Sequence, residues 1–459
     1  MSTSRVSTTP PNDSRRPGNI VRVVGASLMG TTVEWYDFFL YGVAAAAVFP
    51  HVFFPNATDP LQATLLSFAT YWVGFFFRPL GGLVFGHYGD KLGRKQLLVF
   101  SLLMMGVATI AIGLLPSYAG VGVLAPILLT VLRCVQGFAL GGEWGGAVLI
   151  VSEHGDARSR GFWASWPQAG APLGQLIANG LLAVMALVQD DAAFLAWGWR
   201  IPFLLSAVLV IIGLWVRLQV EESPVFKAAQ QHAAERAAAA GAAEPVAAAK
   251  ERMPILDVIR HYPREVITAM AARMAENVSY YIFTIVITTY VTTSLKLPKT
   301  FALNAVLIAA AIHFLTIPAW GGLSDRVGRK PVYLLGAAGV GVWSFAFIAL
   351  LNTKNFALAT IAVILGLIFH GAMYGPQSAF FSELFGTKVR YSGVSIGYQL
   401  ASIFAGGLAP IIAVELLKRS GGSGYPIAWY VLACSVITIV AVLAYHETSD
   451  RDLAAIDRS

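Results

Sequence analysis

The chain has 459 residues, 56% of them hydrophobic and only 12% charged, with a formal net charge of +7 at pH 7. Charge at about half the usual level excludes an ordinary soluble domain, and a mean hydropathy of +0.66 agrees. The bases are dispersed along the chain, so the positive balance does not describe a nucleic-acid partner.

Residues 1–20 are polar and rich in Ser, Thr and Pro, lack a secretory apolar core, and read as a disordered tail. From there the chain repeats apolar runs of roughly 20 residues, the length that crosses a bilayer core. They predict an all-α membrane protein with spans at 21–48, 62–86, 97–116, 121–151, 162–188 and 200–219, forming a first unit over 21–219. A 220–263 connection, Ala-rich and of low complexity, separates these from spans at 264–293, 300–323, 331–351, 356–384, 390–417 and 426–445 in a second unit over 264–447. Residues 448–459 form a short second tail. Cys134 and Cys434 fall inside apolar runs and read as small buried hydrophobes, neither disulfide halves nor metal ligands.

Charges inside spans carry more information, because each costs about 2.5–3.5 kcal/mol at a lipid-facing helix centre. There are seven: Glu34, Asp37, Arg78, Arg133, Glu143, Arg273 and Glu276. They must face one another or a watery cavity. In span one Glu34, Asp37 and Tyr41 share a face at i, i+3 and i+7. Span four sets Arg133 near mid-depth above Gly137, Gly141 and Gly145, whose four-residue spacing suits close helix packing. Span five lines up Gln168, Gln175 and Asn179, with Pro167 and Pro172 bending the helix. Span seven carries Arg273, Glu276, Asn277 and Tyr280 in one stripe, and span ten His370, Tyr374 and Gln377. For Gln168, Gln175 and Tyr374 the bland reading is interhelical glue, and Arg273 and Glu276 can simply neutralise each other. Arg78 and Glu143 lie toward one end and suit a gate as well as a site.

Two short stretches are written twice. GHYGDKLGRK at 86–95, with Gly86, Asp90, Gly93, Arg94 and Lys95, returns as GGLSDRVGRK at 321–330, with Asp325, Gly328, Arg329 and Lys330. SEHGDARSR, with Glu153 and Arg160, returns as SELFGTKVR, with Glu383 and Arg390. The two offsets nearly agree, each close to half the chain, and the copies follow spans two, eight, four and ten in that order. Duplication of a six-span unit explains both, and an even number of intervening spans makes the copies parallel. His370 follows Arg133 by nearly the same offset and reads as occupying a similar place in the second unit. With the N-terminus in the cytoplasm, 23 of the 32 Lys and Arg lie on cytoplasmic segments and six opposite. That bias puts both termini inside.

The repeated Gly-Asp-base-Gly-Arg-base motif resembles the signature of the major facilitator superfamily, over about residues 20–447. VEWYDFFLYG (33–42), FRPLGG (77–82), RCVQGFALGGEWGG (133–146), WGWRIPF (197–203) and EESPVF (221–226) resemble its metabolite:proton symporters more narrowly. The resemblance implies twelve helices in two pseudo-symmetric halves around a mid-membrane site, with alternating access. It implies that the repeated segments latch the halves together at solvated cytoplasmic loops. A proton carrier needs a buried carboxylate or histidine, and Glu34 or Asp37 with Arg133 as counter-charge is the first candidate. Glu276 and His370 are the next candidates. Three functions stay open: symport of a small organic acid held by Arg133 and Arg273; symport of a zwitterionic osmolyte held by Tyr36, Tyr41, Tyr280 and Tyr281; and a sensor that binds without transporting, for which the C-terminal tail is too short. No nucleotide loop, metal cluster or nucleophile motif is present, so neither an enzyme nor a cofactor is expected. The expected partners are a small solute, protons and the lipid bilayer, with the chain acting as a monomer.

Overall fold

The computed structural model describes residues 17–92, 94–141, 151, 157–219, 260, 262–384 and 390–449, with backbone alone at 86–92, 94–95 and 390–392 among others. Within them lie twelve long helical stretches. The first six are α1 (Pro17–Ala47), α2 (Pro60–Leu92), α3 (Arg94–Leu114), α4 (Leu124–Leu140), α5 (Arg160–Val188) and α6 (Arg200–Gln219). Then follow α7 (Pro263–Tyr281), α8 (Lys299–Val327), α9 (Arg329–Asn352), α10 (Phe356–Leu384), α11 (Arg390–Ala401, running on through Ser402–Gly407 into Leu408–Arg419) and α12 (Tyr425–Leu443). Glu143, Gly145 and Glu153, the central 220–259 segment and residues 1–16 and 450–459 lie outside the described residues, as does Gly93. So do the side chains of Asp90, Arg94, Lys95 and Arg390, and nothing beyond the backbone is described at Gly86.

Seven helices (α2, α5 and α8 to α12) are long and apolar enough to cross a membrane. Arg200–Val216 passes the same test only together with Asp191–Gly198, at a bend of 43°. The other four fall short for physical reasons. Charged side chains dilute α1 and α7, while the apolar stretches Val99–Leu114 and Leu124–Leu140 are short among the described residues.

Packing repeats with the sequence. In the first half α1 lies on α5 and α6, α2 on α4, and α3 on α4 and α6; in the second α7 lies on α11 and α12, α8 on α10, and α9 on α10 and α12. Adding six to each helix of the first set gives the second. Across the halves α5 packs on α8 and α10, and α2 on α11. The glycines of α4 act as spacing predicts: a methyl at Gly137 would collide with the Gly74 carbonyl, and one at Gly141 with the Arg78 carbonyl. Pro167 and Pro172 sit inside α5, which stays one helix across both.

The repeated motif is tighter than a loop. α8 and α9 are separated by one residue, Gly328, whose φ of +96° turns the chain as few L-residues can. Wide π turns at Ile282–Val286 beyond α7 and at Ser402–Gly407 in α11 lie where the second half meets the first. π turns are frequent at functional sites.

Candidate substrate and proton site

Between the halves lies a pocket whose cavity volume is about 10 Å³, room for about one water molecule, so this conformation is closed around the site. Trp35 and Phe39 of α1 and Ala171 of α5 form one wall. The other comes wholly from the second half: Arg273, Glu276, Asn277 and Tyr280 of α7, His370 and Tyr374 of α10, and Tyr398 of α11. A larger groove on the outer face of α3 and α4 is lined only by apolar side chains and Met104, and carries no chemistry.

Glu276 organises the polar wall. Its Oε2 accepts from Arg273 Nε at 3.0 Å and from Gln377 Nε2 at 3.1 Å, and its Oε1 lies 3.3 Å from His370 Nε2. Arg273 also donates through Nη1 to the Tyr398 carbonyl (2.8 Å) and to Ser402 Oγ (2.9 Å), with its guanidinium 3.3 Å from the Tyr398 ring centroid. Behind His370, its Nδ1 meets His313 Nε2 of α8 at 3.0 Å. The i, i+3 spacing of Arg273 and Glu276 does make a buried pair, yet Glu276 serves three partners at once.

The first half contributes cations of a different kind. Arg133 lies about 4.5 Å from the centroids of Phe38, Tyr41 and Tyr71, donates through Nη1 to Gln136 (3.0 Å) and leaves Nη2 without a hydrogen-bond partner. Arg78 stacks on Phe38 at 4.3 Å and Phe75 at 4.6 Å, with Nε and Nη2 unpartnered. Both are buried, and neither forms an ion pair with a carboxylate among the described residues. Asp37 points elsewhere, accepting from Ser206 Oγ of α6 at 2.5 Å, so the expected Arg133–Asp37 contact does not form in this conformation. Glu34 is buried on the same helix.

Of the other candidates, Tyr41 bonds Thr70, Gln175 bonds Asn179, and Gln168 reaches the Tyr374 carbonyl at 3.4 Å. Of the four tyrosines considered for an ammonium cage only Tyr280 lines the pocket; Tyr36 donates to the Pro202 carbonyl within the first half. Spacing missed Trp35, Phe39, Tyr398 and His313. His313 carried a legible signal: the offset that takes Asp90 onto Asp325 also takes Arg78 onto His313. His370 corresponds instead to Leu140, by the offset that takes Glu153 onto Glu383, two turns from the place of Arg133.

At the motif face the halves are joined. Asp325 accepts from the backbone N–H of Gly161 (2.8 Å) and Phe162 (2.9 Å) at the start of α5, and from Arg329 at 2.7 Å. Glu383 receives Arg160 at 3.1 Å and Arg329 at 3.4 Å. These groups were expected to be solvated; they are buried, with Glu383 at 0% exposure and Arg329 at 1%. The chain beyond α12 closes over them. Thr448 donates to Glu383 Oε2 at 2.7 Å, and Glu447 accepts from the N–H of Arg329 and Lys330 at the start of α9. Lys330 in turn donates to the Tyr445 carbonyl. At the opposite face Asp59 meets Lys418 and Asp191 meets Lys299, again across the halves. Ion pairs therefore join the halves at both ends of the bundle.

Residues 23–459 match the family profile described as "Sugar (and other) transporter". The chain is 40% identical to the Escherichia coli K12 shikimate transporter over 98% of this chain and 99% of that protein. It is 40% identical to the inner membrane metabolite transport protein YhjE of the same organism, over 94% and 95%. It is 34% identical to the E. coli K12 proline/betaine transporter, over 95% and 85%. In shape it matches the xylose transporter XylE of E. coli in a partially occluded inward-open conformation, with TM-score 0.70 at 18% identity over 95% of this chain and 99% of that one.

Proposed function

Because the chain belongs to the sugar (and other) transporter family within the major facilitator superfamily, we propose that it carries a small organic acid together with a proton by alternating access. It is a transporter and not an enzyme. The observation that carries the choice of substrate class is that buried guanidinium groups are left without a carboxylate partner among the described residues. Arg78 and Arg133 have no carboxylate partner among the described residues, and Arg273, on the pocket wall, has only Glu276. Arginines held dry on aromatic faces are costly unless an anion completes them, and a planar carboxylate matches the guanidinium fork. The ring-lined wall of Trp35, Phe39, Tyr280 and Tyr398 suits a compact cyclic or unsaturated skeleton. The similarity to a shikimate transporter supports the same class.

A second reading rests on those same rings. Aromatic faces attract quaternary ammonium groups, and a proline/betaine transporter is among the relatives. Among the described residues Glu276 is the one carboxylate on the pocket wall, and it is engaged by Arg273, which disfavours a cationic head group there. The excess of Lys and Arg on one side supports both termini being cytoplasmic. A relative named for the inner membrane supports placement there. The halves at 21–219 and 264–447 act as the rocking bodies of one chain.

The deciding experiment is uptake into vesicles holding the purified protein, with labelled shikimate, dicarboxylates, citrate, proline and glycine betaine. The expected result is accumulation of a carboxylic acid, stimulated by an acidic exterior and abolished by a protonophore. Accumulation of betaine alone would establish the second reading. Accumulation that follows a sodium gradient and ignores a protonophore would refute proton symport.

A further inference from the structure

The charged positions of the duplicated bundle are not duplicated in kind. Where the first half places Arg78, the second places His313, at the offset of the repeated motif itself. A guanidinium keeps its proton; an imidazole releases it near neutrality. We propose, on the reading of the chain as a proton symporter, that His313, His370 and Glu276 form a relay that loads the transported proton onto Glu276 and so releases Arg273 to the substrate.

Hydrogen-bond inventory gives the relay its direction. An ionised Glu276 can only accept, so the His370 Nε2 facing its Oε1 at 3.3 Å carries the proton. A neutral His370 then offers a bare Nδ1, and the His313 Nε2 facing it at 3.0 Å must be the donor. That leaves His313 Nδ1 as a bare basic nitrogen. It is buried and has no hydrogen-bond partner, at the end of the relay farthest from Glu276. A proton arriving there makes His313 cationic. Its Nε2 proton passes to His370 Nδ1, and the His370 Nε2 proton passes to Glu276 Oε1. The sum is one proton gained, both imidazoles neutral again, and Glu276 uncharged.

An uncharged Glu276 no longer balances Arg273. The arginine lines the pocket beside Asn277 and Tyr398, so its counter-charge becomes the carboxylate of the bound solute. Proton first and anion second is thus the favoured order, and release of one favours release of the other.

The groups around the relay are consistent with this. From α7 it meets Arg273 and Tyr280, whose ring centroid is 4.8 Å from that of His370 and whose hydroxyl has no hydrogen-bond partner. From α10 come Tyr374 and Gln377, and from α9 Tyr333, whose hydroxyl accepts from Gln377. Along α5, packed on α8, the only charged residue is Arg160, which is engaged by Glu383 at the motif face. Among the described residues of these elements, no second acid stands close enough to receive the proton instead.

The test uses the full chain in lipid nanodiscs and vesicles, with the proton as probe. Nitrogen NMR of labelled histidine should show His313 and His370, assigned by loss of their signals in His313→Asn and His370→Gln, joined by a shared-proton coupling. They should exchange tautomers over the pH range in which the wild type accumulates its solute. In vesicles, His313→Asn should exchange the labelled compound carried by the wild type at equal pH on both sides. It should lose at least tenfold of the accumulation driven by a pH gradient. Glu276→Gln should bind that compound with no pH dependence. Imidazoles that stay in one neutral form across this range, or a folded His313→Asn that takes up protons with its solute at the wild-type ratio, would overturn the relay. A wild type that accumulates solute with no proton entry would overturn the symport reading itself.

Discussion

At the scale of single residues, Arg133 and Asp325 show what a fixed charge does in a dry place. Arg133 is held by three ring faces and one amide, so its planarity matters as much as its charge. Lysine brings a strongly hydrated point charge that cannot stack in this way. Arg133→Lys should therefore lower uptake at least about tenfold, the equivalent of about 1.4 kcal/mol, at normal membrane levels. Uptake within twofold of wild type would show that charge alone is needed. Gly74 offers a gentler probe, because a methyl there would stand 2.7 Å from Arg133 Nε. Much of the site was legible at this scale. Glu276, Arg273, Asn277, Tyr280, His370 and Tyr374 could be chosen because polar groups inside apolar runs have few innocent explanations. His313 was overlooked because one histidine in an apolar helix usually is innocent, although the repeat offset from Arg78 pointed to it; its partner His370 stands two helices further on. The orientation of Asp37 toward Ser206 was hidden for a plainer reason. Periodicity says which residues share a helix face, not which neighbouring helix that face meets.

At the scale of helices, the contrast is between contacts that can exchange and contacts that cannot. α2 and α4 touch backbone to backbone at Gly74–Gly137 and Arg78–Gly141. Overpacking of this kind costs typically about 1–3 kcal/mol, and more where backbone meets backbone. Gly137→Ala should accordingly lower the thermal midpoint of the purified protein and its membrane level. Gly25→Ala, where an added methyl meets nothing within 4 Å, should leave both unchanged or slightly raised. Equal behaviour of the two variants would refute the packing role. α5 and α8 meet differently, through Asp325 on two N–H groups, where the positive end of the helix favours a carboxylate. Most helix boundaries were readable to within a few residues from hydrophobic run length. The ends at the motif were not, since glycine and charge suggest a loop where the chain keeps its helical hydrogen bonds to a single corner at Gly328.

For the whole molecule, the buried ion pairs at the motif face set how strongly that end is shut. Removing one partner from a buried pair typically costs about 3–5 kcal/mol, because the other charge is left unpaired. Asp325→Asn should shift the population toward a form open at this face. A cysteine placed at Ala171, on the pocket wall, should then be labelled at least tenfold faster from that side. An unchanged rate with normal transport would reduce Asp325 to a topology marker. The segment after α12 adds a pH term. Burial alone would raise the Glu447 carboxyl, but backbone N–H groups of Arg329, Lys330, Thr448 and Ser449 hold it below its ordinary value. A lowered folded-state value stabilises above the unfolded value and is lost as pH falls through the folded one. Hydrogen exchange at Arg329 and Lys330 should thus be insensitive to pH near neutrality, once the intrinsic rate is removed. It should lose protection only in acid below the usual glutamate range, and Glu447→Gln should show that loss at neutral pH.

The hydroxyl of Thr448 has a mechanical meaning of its own. It ties the chain beyond the last helix to Glu383, the same carboxylate that grips Arg160 of the first half and Arg329 of the second. A tether fixed at the point where two moving bodies are clasped works as a lever on the clasp. Tension or bulk applied just past residue 449 acts first on that junction, ahead of any spanning helix. A fluorescent protein or affinity tag fused there by a short linker is for that reason no passive label. It would bias which way the carrier faces, and a longer linker would relieve the bias.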